Sequence, residues 1–588
     1  MAASVQPPLA PTQPLADDPR NIWCVGYGLD TFDKLFTPRQ LIALTTFSDL
    51  VCEAREKVRR HTATSGDRDS VAYAAAIVTY LGLGVSKLAD AQTTLTRWKP
   101  SMDQAIATFA RQALPMTWDY AESNAFNNAA GDYQTTVGTI AKVILGLPSS
   151  VEGYSQQQNA TADIECNLVL IVSTDPPYYD NISYADLSDF FYVWLRRTLG
   201  KVHPELFSTM LAPKDDELVA SPYRFGGDKR KAKAFFEEGL SRAFANMRRA
   251  HHPDYPLAVY YAFKQVESDE DSDLLTHDLG ESAEERTSGT LASTGWETML
   301  EGLIRSGFAT NGTWPMRTEL SNRMISSGTN ALASSIVLVC RPRPADAKAA
   351  TRREFLNALK AELPAALRRL QQGNIAPVDL AQAAIGPGMA VFSRYSKVIE
   401  ADGTPMRVRT ALQIINQELD AVLAEQEGEF DADTRWAIAW FDQHGTNEGP
   451  YGTAETLSKA KNTSVGGMVD AGIAVARGGK VRLLRRDELP ADWNPASDGR
   501  LTIWEIAQHL VHALDKRGEG GAAELLAKVG GEGEIARDLA YRLYTTCERK
   551  GWAQEALAYN ALVVAWPEIT RQAAERRRAA PVQQGFDL

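Results

Sequence analysis

The chain has 588 residues, enough for several cores when a domain holds about 100 to 200 residues. Hydrophobic residues make up 44% and charged residues 23%, and no run of roughly 18 apolar residues stands in it, which argues for a soluble globular protein without membrane partners. A net charge of -12 excludes a surface coated with basic residues, and five widely spaced cysteines with no Cys-x-x-Cys pair exclude a disulfide framework or a zinc ribbon.

Residues 1–21, "MAASVQPPLAPTQPLADDPRN", are proline-rich and polar and read as a disordered leader. They have neither the basic start nor the apolar stretch of a signal peptide, so a cytoplasmic location is expected. Residues 22–149 read as a helical region. Thr37 is a predicted N-cap, Pro38 stands at the first helical position and Gln40 has capping-box spacing. Leu41, Leu44, Phe47, Leu50 and Val51 then recur at helical spacing, and further helices are predicted over 70–98 and 102–115.

Over 150–345 the pattern changes to strand-length apolar runs at 167–174, 255–265, 308–319 and 332–343, with helical patterns between them. The order β-α-α-β-α-β-β predicts an α/β sheet covered by helices, its last two strands an antiparallel pair closing one edge. An acidic stretch at 266–289 interrupts the series as a predicted loop. Residues 346–570 return to helical patterns, and 571–588 form an Arg- and Ala-rich flexible tail.

The chemistry concentrates at Asp175, Pro176, Pro177 and Tyr178, directly after the apolar run 167–174. Open α/β sheets bind ligands outside the carboxyl ends of their strands. Two prolines make a stiff turn with uncommitted carbonyls, Asp175 adds a carboxylate, and Tyr178 offers a flat face. Acceptors beside an aromatic platform suit a planar ring bearing an amino group, such as a nucleobase taken out of its stack. Accepting both amine protons, on the Asp175 carboxylate and the Pro176 carbonyl, turns the nitrogen lone pair towards an electrophile, for which the methyl group of S-adenosylmethionine is the expected source. Carbon methylation needs a cysteine nucleophile, and Cys166, before the strand, is badly placed for that.

Asp-Pro-Pro-Tyr resembles the catalytic motif of amino-group DNA methyltransferases, which act on adenine N6 or cytosine N4. The strings "STDPPYYDNISYADLSDFFYVWLRR", "LFTPRQLIALTTFSDLV", "RQALPMTWDYAE", "GWETMLEG", "GTWPMRTE" and "NALASSIVLVCRPRP" are similar to a narrower bacterial and archaeal group, adenine-specific DNA methylases whose N-terminal portion is a domain of unknown function. The resemblance runs from about residue 25 to near 570. It implies a Rossmann-like methyltransferase sheet, S-adenosylmethionine as cofactor, DNA as partner, adenine N6 preferred over cytosine N4, and a setting in restriction or phage defence. Two departures stand out. The Asp-Pro-Phe-x-Gly-x-Gly loop that holds the cofactor in the family has no equivalent, since "AAIGPGMAVF" (383–392) follows no predicted strand. Asn159 also stands where the family tends to have an acid. The sheet is therefore expected to be incomplete, its cofactor-binding half either on a separate chain or lost from a truncated, inactive protein. The alternative is a non-catalytic DNA-binding or complex-forming subunit.

Around the motif, Tyr179 and Asn181 are candidates for the base pocket, and Asp180 either shares that pocket or caps the next helix. Arg224, Lys229, Arg230 and Lys231 flank the Gly226-Gly227 hinge and are candidates for the DNA backbone, against a solvated helix start. Arg196 and Arg197 read as complements of a helix dipole, Trp296 and Trp314 as core, and the cysteines as buried thiols. His251 and His252 have no carboxylate or cysteine at ligand spacing, so no metal is expected.

Overall fold

The structure is a computed structural model that describes residues 10–64, 69–129, 131–147, 152–164, 169–177, 179, 182–261, 294–317 and 334–579. The chain is α/β, with two compact units: Met1–Asp163 with Pro177–Ala243, and Ile164–Pro176 with Phe244–Leu588. The expected α/β domain over 150–345 is thus divided, its first strand belonging to the second unit and the helix after it to the first.

In the first unit, helix α1 (Pro38–Thr64) begins where its cap dictates. The Gln40 amide N–H donates to Thr37 Oγ1 at 3.3 Å and the Thr37 N–H donates to Gln40 Oε1 at 2.8 Å, a reciprocal capping box. Leu41, Leu44, Thr45, Ser48 and Val51 form its buried stripe, whereas Leu50 lies off that 3.6-residue period and is 49% exposed. Helix α2 (Ser70–Ala91) has the length and composition of a membrane span by those two measures alone. It packs beside α1, α3 (Tyr133–Gly146) and α4 (Tyr184–Leu199). A Cβ added at its Gly82 would stand 2.8 Å from Leu199, so the glycine permits the close approach to α4. Phe36 stacks on Phe190 and meets Trp194 edge-on, with ring centroids 5.9 and 5.4 Å apart.

Two expectations in this unit are corrected. Residues 102–115 are not a helix: β1 (Arg97–Lys99) and β2 (Gln104–Ile106) pair antiparallel around a turn in which Asp103 takes a left-handed φ of 50°. Beyond it the Phe109 N–H donates to Asp90 Oδ1 at 3.1 Å, a long-range bond that local propensity does not foresee. Residues 10–21 carry packed structure rather than a disordered leader, since Leu15 is buried and the buried Asp18 carboxylate accepts from Asn21 Nδ2 at 3.2 Å and Ser183 Oγ at 3.1 Å.

Helix α5 (Lys229–Ala250) leads from the first unit into the second, where a four-stranded mixed sheet has the order β3-β4-β6-β5. Its strands are β3 (Ser173–Thr174), β4 (Leu257–Tyr261), β5 (Phe308–Arg317) and β6 (Ser334–Pro342). β3 runs parallel to β4; β6 is antiparallel to both β4 and β5. The series of strands and helices matches the predicted order, and the β5–β6 pair closes one edge. Pro315, which has no ladder N–H to give, stands on the edge strand β5. Helix α6 (Thr294–Arg305) buries Trp296 against Tyr261, ring centroids 5.4 Å apart, while Trp314, expected in the core, is 70% exposed.

Helix α7 (Arg352–Gln372) carries a Thr351–Glu354 capping box and β7 (Ala350–Thr351) pairs with β8 (Val398–Ile399). Helix α8 (Pro377–Ser393) covers β5: the Thr310 N–H donates to Ser393 Oγ at 2.8 Å and Thr313 Oγ1 donates to the Ala383 carbonyl at 2.6 Å. Gly386 and Gly388 of "AAIGPGMAVF" are therefore helix-packing residues. Helices α9 (Val408–Glu425) and α10 (Ala432–His444) follow. Residues 449–483 then hold a small sheet unforeseen in a region read as mostly helical. After it come α13 (Ile503–Val529), α14 (Glu532–Lys550) and α15 (Ala553–Ala579). The helix α15 extends through the first part of the expected tail, burying Ala573, and 580–588 lie outside the described residues.

Candidate functional site

Of the apolar run 167–174, residues 167 and 168 lie outside the described residues, Leu170 makes an isolated bridge and only Ser173–Thr174 is strand, paired on one side among the described residues. The Leu170 N–H donates to the Ala250 carbonyl at 2.8 Å, and the His252 N–H to the Leu170 carbonyl at 2.8 Å. The Ala258 N–H donates to the Val172 carbonyl at 3.2 Å. Alternation along a strand then turns the backbone groups of Val169, Ile171 and Ser173 to the opposite edge, where no strand pairs with them among the described residues. The side chains of Val169 and Ile171 are 60% and 64% exposed.

Asp175 directly follows β3, at the carboxyl end of the sheet's parallel pair. Its side chain is exposed and has no hydrogen-bond or ionic partner among the described residues, and partial desolvation pushes its carboxyl above the usual range. Pro176 is buried and fixes the backbone where the strand stops. The chain passes from the second unit to the first between Pro176 and Pro177, and Pro177 is half-buried. Tyr178, Asp180 and Asn181 lie outside the described residues. Tyr179 belongs to the first unit, where its ring meets Phe236 edge-on at 5.3 Å and its carbonyl accepts from the Ala220 N–H at 2.8 Å.

The basic residues separate into two kinds. Arg224 is not free for a DNA backbone: its guanidinium lies 3.0 Å from Asp186 and 2.6 Å from Glu217 in a largely buried ion cluster, with Tyr223 donating to Asp186. These acids hold its pKa above the ordinary arginine value against the opposing desolvation. Two acids around one Arg satisfy buried charge and leave no net cation. Lys229, Arg230 and Lys231 are exposed on the first turn of α5, whose backbone N–H groups at Arg230 and Lys231 donate to Asp228 at 3.0 and 3.1 Å. In the last turn of α4, Arg197 contacts Asp49 at 2.8 Å.

Among the described residues no three His, Cys, Asp or Glu side chains are grouped to hold a metal ion. His251 is buried, with its Nε2 2.8 Å from the Tyr255 carbonyl. Burial raises the thiol of Cys24 to about 11 and those of Cys340 and Cys547 to about 12. Cys52, expected to be buried, is exposed, and Cys166 lies outside the described residues. Two cavities of about 720 and 730 Å³ in the second unit are lined by side chains between 368 and 570 and by none of the junction residues.

A buried polar cluster escaped the reading of the sequence. Glu505 and His509, one turn apart on α13, meet Asp498 and Trp493 from the preceding loop. Trp493 stacks on the His509 ring at 4.0 Å and donates from Nε1 to Asp498 at 2.8 Å. Burial and the Asp498 carboxylate push Glu505 up to about 8, and burial pushes His509 down to about 4. Their i,i+4 spacing was visible in the sequence, but their loop partners were not.

The model of a family described as Domain of unknown function (DUF8807) matches residues 431–586. No curated protein and no solved structure matches the chain.

Proposed function

We propose that this chain supplies the base-accepting half of an S-adenosylmethionine-dependent DNA amino-methyltransferase, with adenine N6 preferred over cytosine N4. The reading rests chiefly on one observation: Asp175 is a partly desolvated carboxylate without a partner among the described residues, at the carboxyl end of β3 and followed by Pro176 and Pro177. Such a carboxylate accepts a hydrogen bond from one N–H of an exocyclic amine, the Pro176 carbonyl accepts one from the other N–H, and Tyr178 stacks on the base. Positioning of this kind supplies rate without a covalent enzyme intermediate, on the order of 7 to 11 kcal/mol for well-oriented reactants.

The described residues do not fit a cofactor holder. The one glycine pair considered for that role, Gly386 and Gly388, is inside α8 against Thr313 and Ile415. The side of β3 left unpaired among the described residues supports a division of labour in which a second chain adds its own strands to that edge, completes a Rossmann-like sheet and holds the methyl donor. A cytoplasmic restriction or phage-defence system is the proposed setting. The competing reading, a DNA-binding subunit without catalysis, is favoured by the same lack of a fitting holder.

Co-expression with candidate partner chains, followed by transfer of labelled methyl groups to DNA, decides between them. Transfer that is restored by one partner and lost on Asp175→Ala supports the split enzyme. Transfer that survives Asp175→Ala overturns the assigned role. Wild-type chain that binds DNA yet supports no transfer with any partner leaves the binding subunit.

A further inference from the structure

The sheet unforeseen in the helical C-terminal region belongs to a compact arrangement within the second unit. After α10 come β9 (Gly449–Pro450), α11 (Tyr451–Ala460), α12 (Val465–Asp470), β10 (Ala474–Arg477) and β11 (Lys480–Leu483). The strands form an antiparallel sheet of order β10-β11-β9. Helix, strand, helix, short turn, helix and β-hairpin in this order make a helix-turn-helix followed by a wing.

The turn is built, not incidental. Asn462 takes a left-handed φ of 59°, as a helix-terminating residue does, and the Thr463 N–H closes α11 onto the Ser458 carbonyl at 2.9 Å. Asp433 of α10 holds the turn, accepting from Thr463 Oγ1 and from Arg500 Nε at 2.7 Å. A Cβ at Gly467 would lie 2.5 Å from the Arg500 guanidinium, so glycine lets α12 seat over this ion pair. Trp436 fixes α11 to α10 by donating to the Ala454 carbonyl at 3.2 Å.

The wing tip is a two-residue hairpin, Gly478-Gly479, with φ of 59° and 76°, the conformation a tight hairpin turn requires. It sets Arg477 and Lys480 opposite each other, both exposed. Across 431–484 six Lys and Arg stand against six Asp and Glu, and Arg482 is paired with Glu488 at 2.6 Å, so outward positive charge is concentrated at the wing tip, on Arg477 and Lys480. Lys480 and Lys459 contact Glu448 and Glu455 only in exposed pairs, which are weak and exchangeable. Thr453, Thr456, Asn462 and Ser464 add exposed polar groups on the side of α11 and the turn. Across 431–484 the large exposed apolar side chains are Tyr451 and Val469, too few to anchor a protein interface.

We propose that residues 431–484 are a winged helix-turn-helix that grips the phosphate backbone of duplex DNA through Arg477 and Lys480 of its wing. Helix α12 exposes Gly466, Val469 and Asp470, none of which forms a bidentate bond to a guanine or adenine edge, so the grip is independent of base sequence. The inference rests on the proposed function only for the choice of DNA as ligand, not on Asp175 or a methyl donor.

The test measures binding of the full-length chain to a labelled duplex, without cofactor, over a range of salt concentrations. Arg477→Ala/Lys480→Ala is expected to lower the slope of log affinity against log salt by about two and to weaken binding roughly tenfold at 0.1 M salt. Duplexes of unrelated sequence should bind alike. The equal-charge control Lys360→Ala/Lys528→Ala, at exposed sites outside the module, should leave both unchanged. Wing variants that bind as wild type, a control that loses as much, or a wild-type chain that binds no duplex each overturn the proposal. Binding and methyl transfer are read separately. Loss of transfer with wing-dependent binding intact therefore strikes only the enzyme reading, and transfer with wing-independent binding strikes only this one.

Discussion

A carboxylate that has lost part of its hydration ionises at a cost, and Asp175, which meets no donor among the described residues, is in that position. Its folded pKa lies above the unfolded value, so the folded state binds the proton more tightly. Stability from this group is therefore present at acid pH and lost as pH rises through the raised value. Asp175→Asn is accordingly expected to keep or raise the melting temperature at pH 7 while abolishing methyl transfer; a fall of several degrees would show a structural partner instead. Glu505 gives a wider window. Raised to about 8 from an unfolded value of about 4.3, it withdraws stability progressively between those pH values, and above about 8 the full penalty is present. Glu505→Gln should flatten this dependence, so that the variant melts above wild type at pH 9 and close to it at pH 5. Thermal scans at the two pH values check this, and parallel curves at both would refute it. Asp175 was legible in the sequence because a short motif carries its own chemistry. The Glu505 cluster was not, because Asp498 and Trp493 reach it from a loop.

Among the elements, the helices with self-contained caps are the ones local reading recovers. Thr37 and Gln40, or Thr351 and Glu354, satisfy each other's backbone without help from elsewhere. Residues 102–115 show the opposite case, where helix-forming composition yields to a hairpin turn and a bond to Asp90. The wing is a third case, since strands of two and four residues are too short to display a period. Helix α8 packs closely on β5, where a Cβ at Gly386 would stand 2.3 Å from Thr313. Gly386→Ala should cost about 1 to 3 kcal/mol by overpacking. Chemical denaturation reads the loss, and trimming the partner with Thr313→Ala in the same chain should recover part of it. An unchanged midpoint for Gly386→Ala alone would show that the contact yields freely.

At the scale of the whole molecule, the chain crosses between its two compact units at 163/164, 176/177 and 243/244. Chains with more than one core seldom unfold in a single step. Calorimetry is expected to resolve at least two transitions, and Glu505→Gln should move only the one belonging to the second unit. One indivisible transition shifted as a whole would contradict that independence. The sequence by itself determined the α/β class, the order of strands and helices from 167 to 343, and the strand end at Asp175, because periodicity, capping and a proline-bounded strand end are properties of neighbouring residues. Only the tertiary structure decided that Arg224 is consumed by Asp186 and Glu217, that β3 pairs on one side only among the described residues, and that a β-hairpin follows α12. Those outcomes turn on which distant groups meet, and a linear pattern of side chains does not encode that meeting.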